Sequence, residues 1–211
     1  MSADIKYILA MCCVLPAIAG IYRYNKIDSK YHPFIYMMVL TAVTETIIYL
    51  SQKFPAFRYF PSVTANIYML ANFSLFLYFV NINGYLNKKG MQFFFAVATL
   101  VCVINYIYLH TFFLAFYYLL CYVSACMLVL SIEILSRQTM AIKHKLVNNF
   151  WFWFSSFSII YNAFTLLTFG LYVFAINDTA KGKAIGALQI FSNTVCYIFF
   201  IVAMLKIPKK K

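Results

Sequence analysis

Seven stretches of mostly apolar residues, each close to 20 residues long, dominate this chain of 211 residues. An α-helix needs about 20 apolar residues to cross the hydrocarbon core of a bilayer. The connections between the stretches are short, so no segment remains for a separate soluble domain. The sequence therefore predicts one all-α transmembrane domain, a seven-helix bundle over residues 1–211. The predicted helices are Ile5–Tyr22, Pro33–Ser51, Ser62–Gly84, Met91–Leu109, Phe112–Leu135, Phe150–Phe174 and Lys183–Ile207.

Charged residues are few and lie mostly on one side of the predicted bundle. Only 10% of the residues are charged, against about 25% in a typical soluble domain. Most of the 17 Lys and Arg residues fall in alternate connections and at the C-terminus. In membrane proteins the cytoplasmic connections carry an excess of Lys and Arg. We therefore expect the N-terminus outside and the C-terminus in the cytoplasm. The net charge of +12 then indicates attraction to an anionic inner leaflet and not nucleic-acid binding.

The first apolar stretch also has the order of a cleaved signal peptide. Lys6 precedes it, and Ala17-Ile18-Ala19 has the small-residue pattern of a cleavage site. Cleavage would leave six helices and place the basic loop Arg23–Lys30 outside, which would invert the charge distribution. The charge pattern therefore favours seven helices.

A carboxylate, Glu45, lies within the apolar run of the second predicted helix. A charge near the middle of a membrane helix costs roughly 2.5 to 3.5 kcal/mol, so an acid at such a position indicates a functional site. Thr41 and Tyr49 lie four residues on either side, on the same face of the helix. The alternative is a structural role, with a protonated carboxyl hydrogen-bonded to a neighbouring amide.

Three other predicted helices carry polar residues at helical spacing. With a rise of about 1.5 Å per residue, Glu45, Asn66 and Gln189 fall at a similar depth in the outer half of the bundle. We therefore predict a ligand site there. Its binding residues are Glu45, Asn66, Tyr68, Asn72, Gln189 and Asn193, supported by Thr41, Tyr49, Asn162 and Ser158. The alternative is that the amides only hold the helices together, at about 0.6 kcal/mol each.

Several kinds of site lack the residues they need. His32, His110 and His144 lie at helix ends or in loops, which disfavours a buried haem or zinc site. The six cysteines form no C-x-x-C pair and are interpreted as small core residues. The last helix has lysines only at its ends, so it offers no buried Schiff-base lysine. No cofactor or metal site is predicted, and an enzyme is disfavoured.

The pattern TETIIYL followed by NIYMLANFSLFLYF resembles a group of small uncharacterised seven-helix integral membrane proteins of Bacteroidota. In that group a Thr-Glu pair on helix two is followed, on helix three, by His or Asn, by Tyr, and by a second Glu. Thr44 and Glu45, then Asn66 and Tyr68, match those places. Asn72 stands where the second Glu would be, which argues against paired-carboxylate chemistry.

The opening of the sixth predicted helix, FWFWFSSFSIIYNAF, is similar to the Phe-Trp start of the same group, with Asn162 as its later Asn. The resemblance spans most of the chain. It implies a seven-helix fold and a location in a bacterial inner membrane.

The leading functional hypothesis is a binding or sensory module. A polar pocket in the outer half would hold a small-molecule or lipid ligand, and a small helix shift would signal to a cytoplasmic protein partner. One alternative is a proton-coupled small-molecule transporter that uses Glu45. Another is a structural subunit of a membrane complex. A lipid-modifying enzyme is less favoured, since no nucleophile and base pair is visible.

The connection after the fifth predicted helix raises two local expectations. Glu133 and Arg137 are spaced for an ion pair at the cytoplasmic end of that helix, which indicates a structural role for this second acid. The segment Ser136–Asn149 is expected to be a basic loop along the membrane surface.

Overall fold

The computed structural model describes residues 11–53, 60–109, 117–141, 146–174 and 179–210, and these form an α-helical bundle. Apart from one bridge between Ile27 and Lys209, these residues contain no β-structure. The helices are α1 (Val14–Arg23), α2 (His32–Lys53), α3 (Phe60–Ile82), α4 (Lys88–Leu109), α5 (Tyr117–Ala141), α6 (Phe150–Phe174) and α7 (Thr179–Lys206).

Six helices, α2 to α7, are long and apolar enough to cross a membrane. The prediction of an all-α, multi-pass protein is therefore confirmed. The described part of α1 has 10 residues, with a 3₁₀ turn over Met11–Cys13 before it. The predicted start of this helix, Ile5, lies outside the described residues.

The predicted ends of α2, α3, α4, α6 and α7 lie within four residues of the observed ones, whereas α5 differs. It ends at Ala141 and not at Leu135, so the predicted loop Ser136–Asn149 is helical in its first six residues. The predicted ion pair is confirmed, since Arg137 Nε lies 2.7 Å from Glu133 Oε1, and it supports this extra turn. The predicted start of α5 at Phe112 lies outside the described residues.

The long helices pack as antiparallel neighbours, because short connections keep successive helices side by side. Pairs in extensive contact are α2 with α3, α5 with α6 and α6 with α7, while α1 lies against α2 and α7. The outward faces carry large apolar side chains, such as Phe93 and Leu100 on α4. An apolar outer surface of this kind suits contact with lipid.

Of the six cysteines interpreted as core residues, Cys121 is an exception. Cys13, Cys102, Cys126 and Cys196 are buried, but Cys121 is exposed on α5. The interpretation was wrong there because a small apolar side chain can face lipid as readily as the core.

A cluster of aromatic rings joins α2, α3 and α6 near the start of α6. Phe79 is fully buried and stacks on Trp151 at 4.9 Å between ring centroids. It also meets Phe154 edge-on at 5.4 Å, and Phe34 meets Phe150 at the same distance. Such ring pairs contribute about 0.5–1.5 kcal/mol each beyond the area they bury. The cluster therefore holds this end of the bundle rigid.

Replacing Phe79 by Ala is expected to lower the free energy of unfolding by about 3 kcal/mol, the low end for Phe→Ala in a core. Lipid is as apolar as this core, so the loss comes from the cavity and the missing ring contacts. Thermal unfolding in detergent measures the effect. The matched control is Phe93→Ala, because Phe93 is 64% exposed on α4. Equal losses in the two variants would contradict the role of the ring cluster.

Candidate functional site

A hydrogen bond between α2 and α3 marks one wall of the site. The Thr41 hydroxyl donates to the carbonyl of Met37, 2.8 Å away, and lies 2.9 Å from the Tyr68 hydroxyl. A threonine hydroxyl has one proton, so Tyr68 is the donor in the second bond. Glu45 lies eight residues before the end of α2, and Tyr68 eight residues after the start of α3. Both therefore lie about 12 Å from the same end of this antiparallel pair.

Glu45 lies one turn beyond Thr41 on α2 and is half-buried. Its carboxyl is within electrostatic range of four polar groups, each on a different element. They are the Cys13 thiol before α1 and the hydroxyls of Tyr68 on α3, Tyr161 on α6 and Tyr197 on α7. These four residues and Glu45 are called the Glu45 cluster below.

Within the part of the chain that the structure describes, Glu45 forms no ion pair and no hydrogen bond. The other acid on the described helices, Glu133, is half exposed and paired with Arg137. A carboxylate without a partner in the interior of a bundle loses hydration without compensation. Glu45 can therefore accept a hydrogen bond from, or pair with, a group that the protein itself does not supply.

Tyr161 and Tyr197 were absent from the predicted set of ligand-binding and supporting residues, as was Cys13. Tyr161 on α6 and Tyr197 on α7 interact electrostatically with each other as well as with Glu45. Tyr197 continues the four-residue series of Gln189 and Asn193, so helical spacing could have identified it. Nothing in the sequence distinguishes Tyr161 or Cys13 from other residues of the apolar helices.

Asn72 offers a second unsatisfied polar group. It lies one turn beyond Tyr68 on the same face of α3. Its side-chain oxygen is buried and has no hydrogen-bond partner among the described residues. Leaving such an atom unpaired costs about 1–3 kcal/mol, so this oxygen is suited to receive a donor from a ligand.

Gln189 and Asn193 tie α7 to α6. Gln189 accepts a hydrogen bond from the Thr168 hydroxyl and donates to Asn193 Oδ1 at 2.8 Å. Its amide nitrogen also lies 3.5 Å from the Thr165 hydroxyl. Because the Gln189 amide is already satisfied inside the protein, its direct contribution is to hold α7 against α6. Asn193 then lies one turn before Tyr197 of the Glu45 cluster.

The remaining predicted residues are not members of the Glu45 cluster. Asn66 is buried two residues before Tyr68, about 200° away around the axis of α3, so the two cannot face Glu45 together. Ser158 accepts a hydrogen bond from Ser131 on α5 at 2.8 Å. Ser158 therefore serves the contact of α6 with α5, whereas Asn162 donates to the Ser158 carbonyl at 2.7 Å within α6 itself. Tyr49 is half-buried, one turn beyond Glu45.

The fold and the Glu45 cluster define a multi-pass helical membrane protein whose bundle contains an acid without a partner among the described residues. No protein-family model, no curated protein and no solved structure matches this chain. The arrangement of the site is therefore the basis for any statement about function.

Proposed function

We propose that this protein binds a small or amphipathic ligand at Glu45 and signals its presence to a cytoplasmic protein partner. The ligand would carry a cationic or hydrogen-bond-donating group. In this proposal all seven helices span a bacterial inner membrane, with the N-terminus outside and the C-terminus in the cytoplasm. Glu45 would then lie in the outer half of the bundle.

The observation that carries the proposal is that Glu45 has no hydrogen-bond or ion-pair partner in the part of the chain that the structure describes. A membrane protein that keeps a charge among apolar helices without a partner loses free energy of about 2.5–3.5 kcal/mol on insertion scales. A ligand cation would offset this loss, and the Asn72 oxygen, one turn from Tyr68, would receive a second donor. Tyr68, Tyr161 and Tyr197 would surround the ligand with hydroxyl groups.

The route from this site to the opposite end of the bundle runs along α7. Tyr197 belongs to the Glu45 cluster. Farther along, Arg23 donates hydrogen bonds to the carbonyl of Met204, in the last turn of α7, and to that of Ile207, the residue after the helix. A small shift of α7 on ligand binding would therefore move the end that faces the cytoplasm in the proposed topology. Shifts of about 1–2 Å are typical of signalling helices.

Native mass spectrometry of the purified protein tests the proposal. We expect a bound small molecule on the wild type, released from mild detergent, and its loss in Glu45→Gln, because the amide cannot pair with a cation. Glu133→Gln is the matched control, since it removes the same charge from an exposed position, and it should keep the bound molecule. Bare spectra for all three proteins, or equal binding by all three, would contradict the proposal.

A second candidate is a proton-coupled transporter. It is favoured by the hydroxyls of Tyr161 and Tyr197 beside Glu45, because a protonatable acid with neighbouring hydroxyls is what a proton path inside a membrane requires. Proteoliposomes with a pH gradient distinguish the two functions. A transporter would carry the ligand found by mass spectrometry across the bilayer and lose this flux in Glu45→Gln. A binding protein would bind the ligand without flux.

A further inference from the structure

A cavity of about 580 Å³ lies at the end of the bundle where α2 begins and α7 ends. Its walls are the loop between α1 and α2 and the chain that follows α7. The described residues that line it include Lys30, His32, Lys209 and Lys210, and Asp28 is the one acid among them. We call this space the basic cavity. Its volume falls within the range of about 300–1,000 Å³ that is typical of small-molecule sites.

Backbone contacts hold the two walls together. The bridge between Ile27 and Lys209 joins the loop to the C-terminal segment, and the amide of Lys210 donates to the Lys26 carbonyl at 2.8 Å. Ile27 is buried. The three lysines, from positions about 180 residues apart in the chain, therefore surround one space because the fold brings them there.

The side chains that line the cavity favour an anion. Three ammonium groups face one carboxylate, and Asp28 already accepts a hydrogen bond from the backbone amide of Lys30 at 3.1 Å. The Lys30 ammonium lies 5.4 Å from the centroid of the Tyr31 ring, which also lines the cavity. His32 contacts the Tyr24 carbonyl through Nε2 at 3.2 Å and stacks on the Tyr24 ring. Because a carbonyl oxygen only accepts, Nε2 is the donor in this contact and Nδ1 remains for other partners.

The position of the cavity identifies the class of anion. The candidate membrane span of α2 begins at Ser29 and that of α7 ends at Lys206, so the cavity lies level with the ends of these spans. This is the depth of lipid headgroups. The volume is also larger than a single inorganic ion needs. A phosphate group carried on a larger polar head is the anion that fits both the position and the charge.

We propose that the basic cavity binds a phosphate-bearing polar head, with Lys30, Lys209 and Lys210 as its cationic contacts. Such a group could belong to an anionic phospholipid or to a soluble organic phosphate. The site is separate from the Glu45 cluster and does not depend on the function proposed for it.

Binding measurements on the full-length protein in nanodiscs test this assignment. One arm uses phosphatidylcholine nanodiscs with and without a phosphatidylinositol phosphate, with native mass spectrometry of the retained lipid. The other arm uses soluble inositol trisphosphate, measured by calorimetry on nanodiscs of phosphatidylcholine alone. Retention of the lipid without binding of the soluble phosphate would assign the site to the membrane. Tight binding in the soluble arm would assign it to an organic phosphate, and either result supports the proposal.

The double variant Lys209→Gln/Lys210→Gln is expected to weaken binding by about 30-fold, since each lysine near an anionic head contributes about fivefold. The matched control is Lys88→Gln/Lys89→Gln, which removes the same charge from exposed lysines that do not line the cavity. It should weaken binding by less than about threefold. Lys209→Arg/Lys210→Arg should retain binding, which separates loss of charge from loss of folding. Equal losses in the two Gln variants, or no loss in either, would overturn the proposal.

Discussion

A Glu45→Leu variant is expected to be more stable than the wild-type protein, by about 2 kcal/mol in the free energy of unfolding. The charge of a carboxylate inside a membrane helix costs roughly 2.5–3.5 kcal/mol, and half-burial reduces this somewhat. Glu45 forms no hydrogen bond or ion pair among the described residues that its loss would break. Leu has a similar volume, so the helix packing of α2 should survive. Thermal unfolding of the ligand-free protein measures the gain as a higher Tm.

This result separates a functional acid from a structural one. If a neighbouring amide held the Glu45 carboxyl to stabilise the bundle, Glu45→Leu would lower the Tm. Glu133→Leu is the control, because it removes an acid from an exposed ion pair with Arg137. Such pairs are worth about 0.3–0.5 kcal/mol, so this variant should change little. A gain in both variants would show only a general effect of adding apolar surface.

Arg23→Met is expected to lower the free energy of unfolding by about 3 kcal/mol. The Arg23 guanidinium donates to the carbonyls of Met204 and Ile207, the latter at 2.9 Å, and so binds the end of α7 to the end of α1. Hydrogen bonds to charged groups contribute about 1.5–3 kcal/mol each, and their loss leaves two carbonyls unpaired. Partial burial lowers the pKa of Arg23 from its ordinary value, but arginine remains protonated in proteins.

Thermal unfolding in detergent measures the global effect of Arg23→Met, and hydrogen exchange measures the local one. The Lys210 amide, which donates to the Lys26 carbonyl, should exchange faster in the variant because the end of α7 is released. Lys26→Met is the control. The Lys26 ammonium lies 4.0 Å from the centroid of the Tyr22 ring, a contact worth about 0.5–1 kcal/mol. Unchanged exchange at Lys210 in Arg23→Met would contradict the role of Arg23 in holding this segment.

Both sites involve the C-terminal half of α7 and the chain that follows it, because Tyr197 lies nine residues before Lys206, the last residue of the helix. Tyr197 of α7 belongs to the Glu45 cluster, and Pro208, Lys209 and Lys210 line the basic cavity. Arg23 holds the carbonyls between them. The stability of this end of α7 therefore bears on both proposals.

Residue spacing predicted part of the candidate site and missed the rest for a geometric reason. Depth along a helix follows from counting residues, and Glu45 and Tyr68 do lie at matching depth on α2 and α3. Which way a side chain faces depends on how each helix is rotated against its neighbours. Asn66 has a suitable depth but lies on a different face of α3 from Tyr68, whereas Tyr161, which no pattern singled out, lies within electrostatic range of Glu45.

The sequence by itself determined where the helices lie, because a membrane span is defined locally by about 20 apolar residues. It also determined the uneven distribution of charge, with Lys209 and Lys210 near one end of the chain and Glu45 as the one acid of α2. Only the tertiary structure decided which polar groups meet, as in the contact of Arg23 with Ile207. In lipid, helices associate through close packing and hydrogen bonds between particular faces, because apolar surface alone does not favour one partner over another.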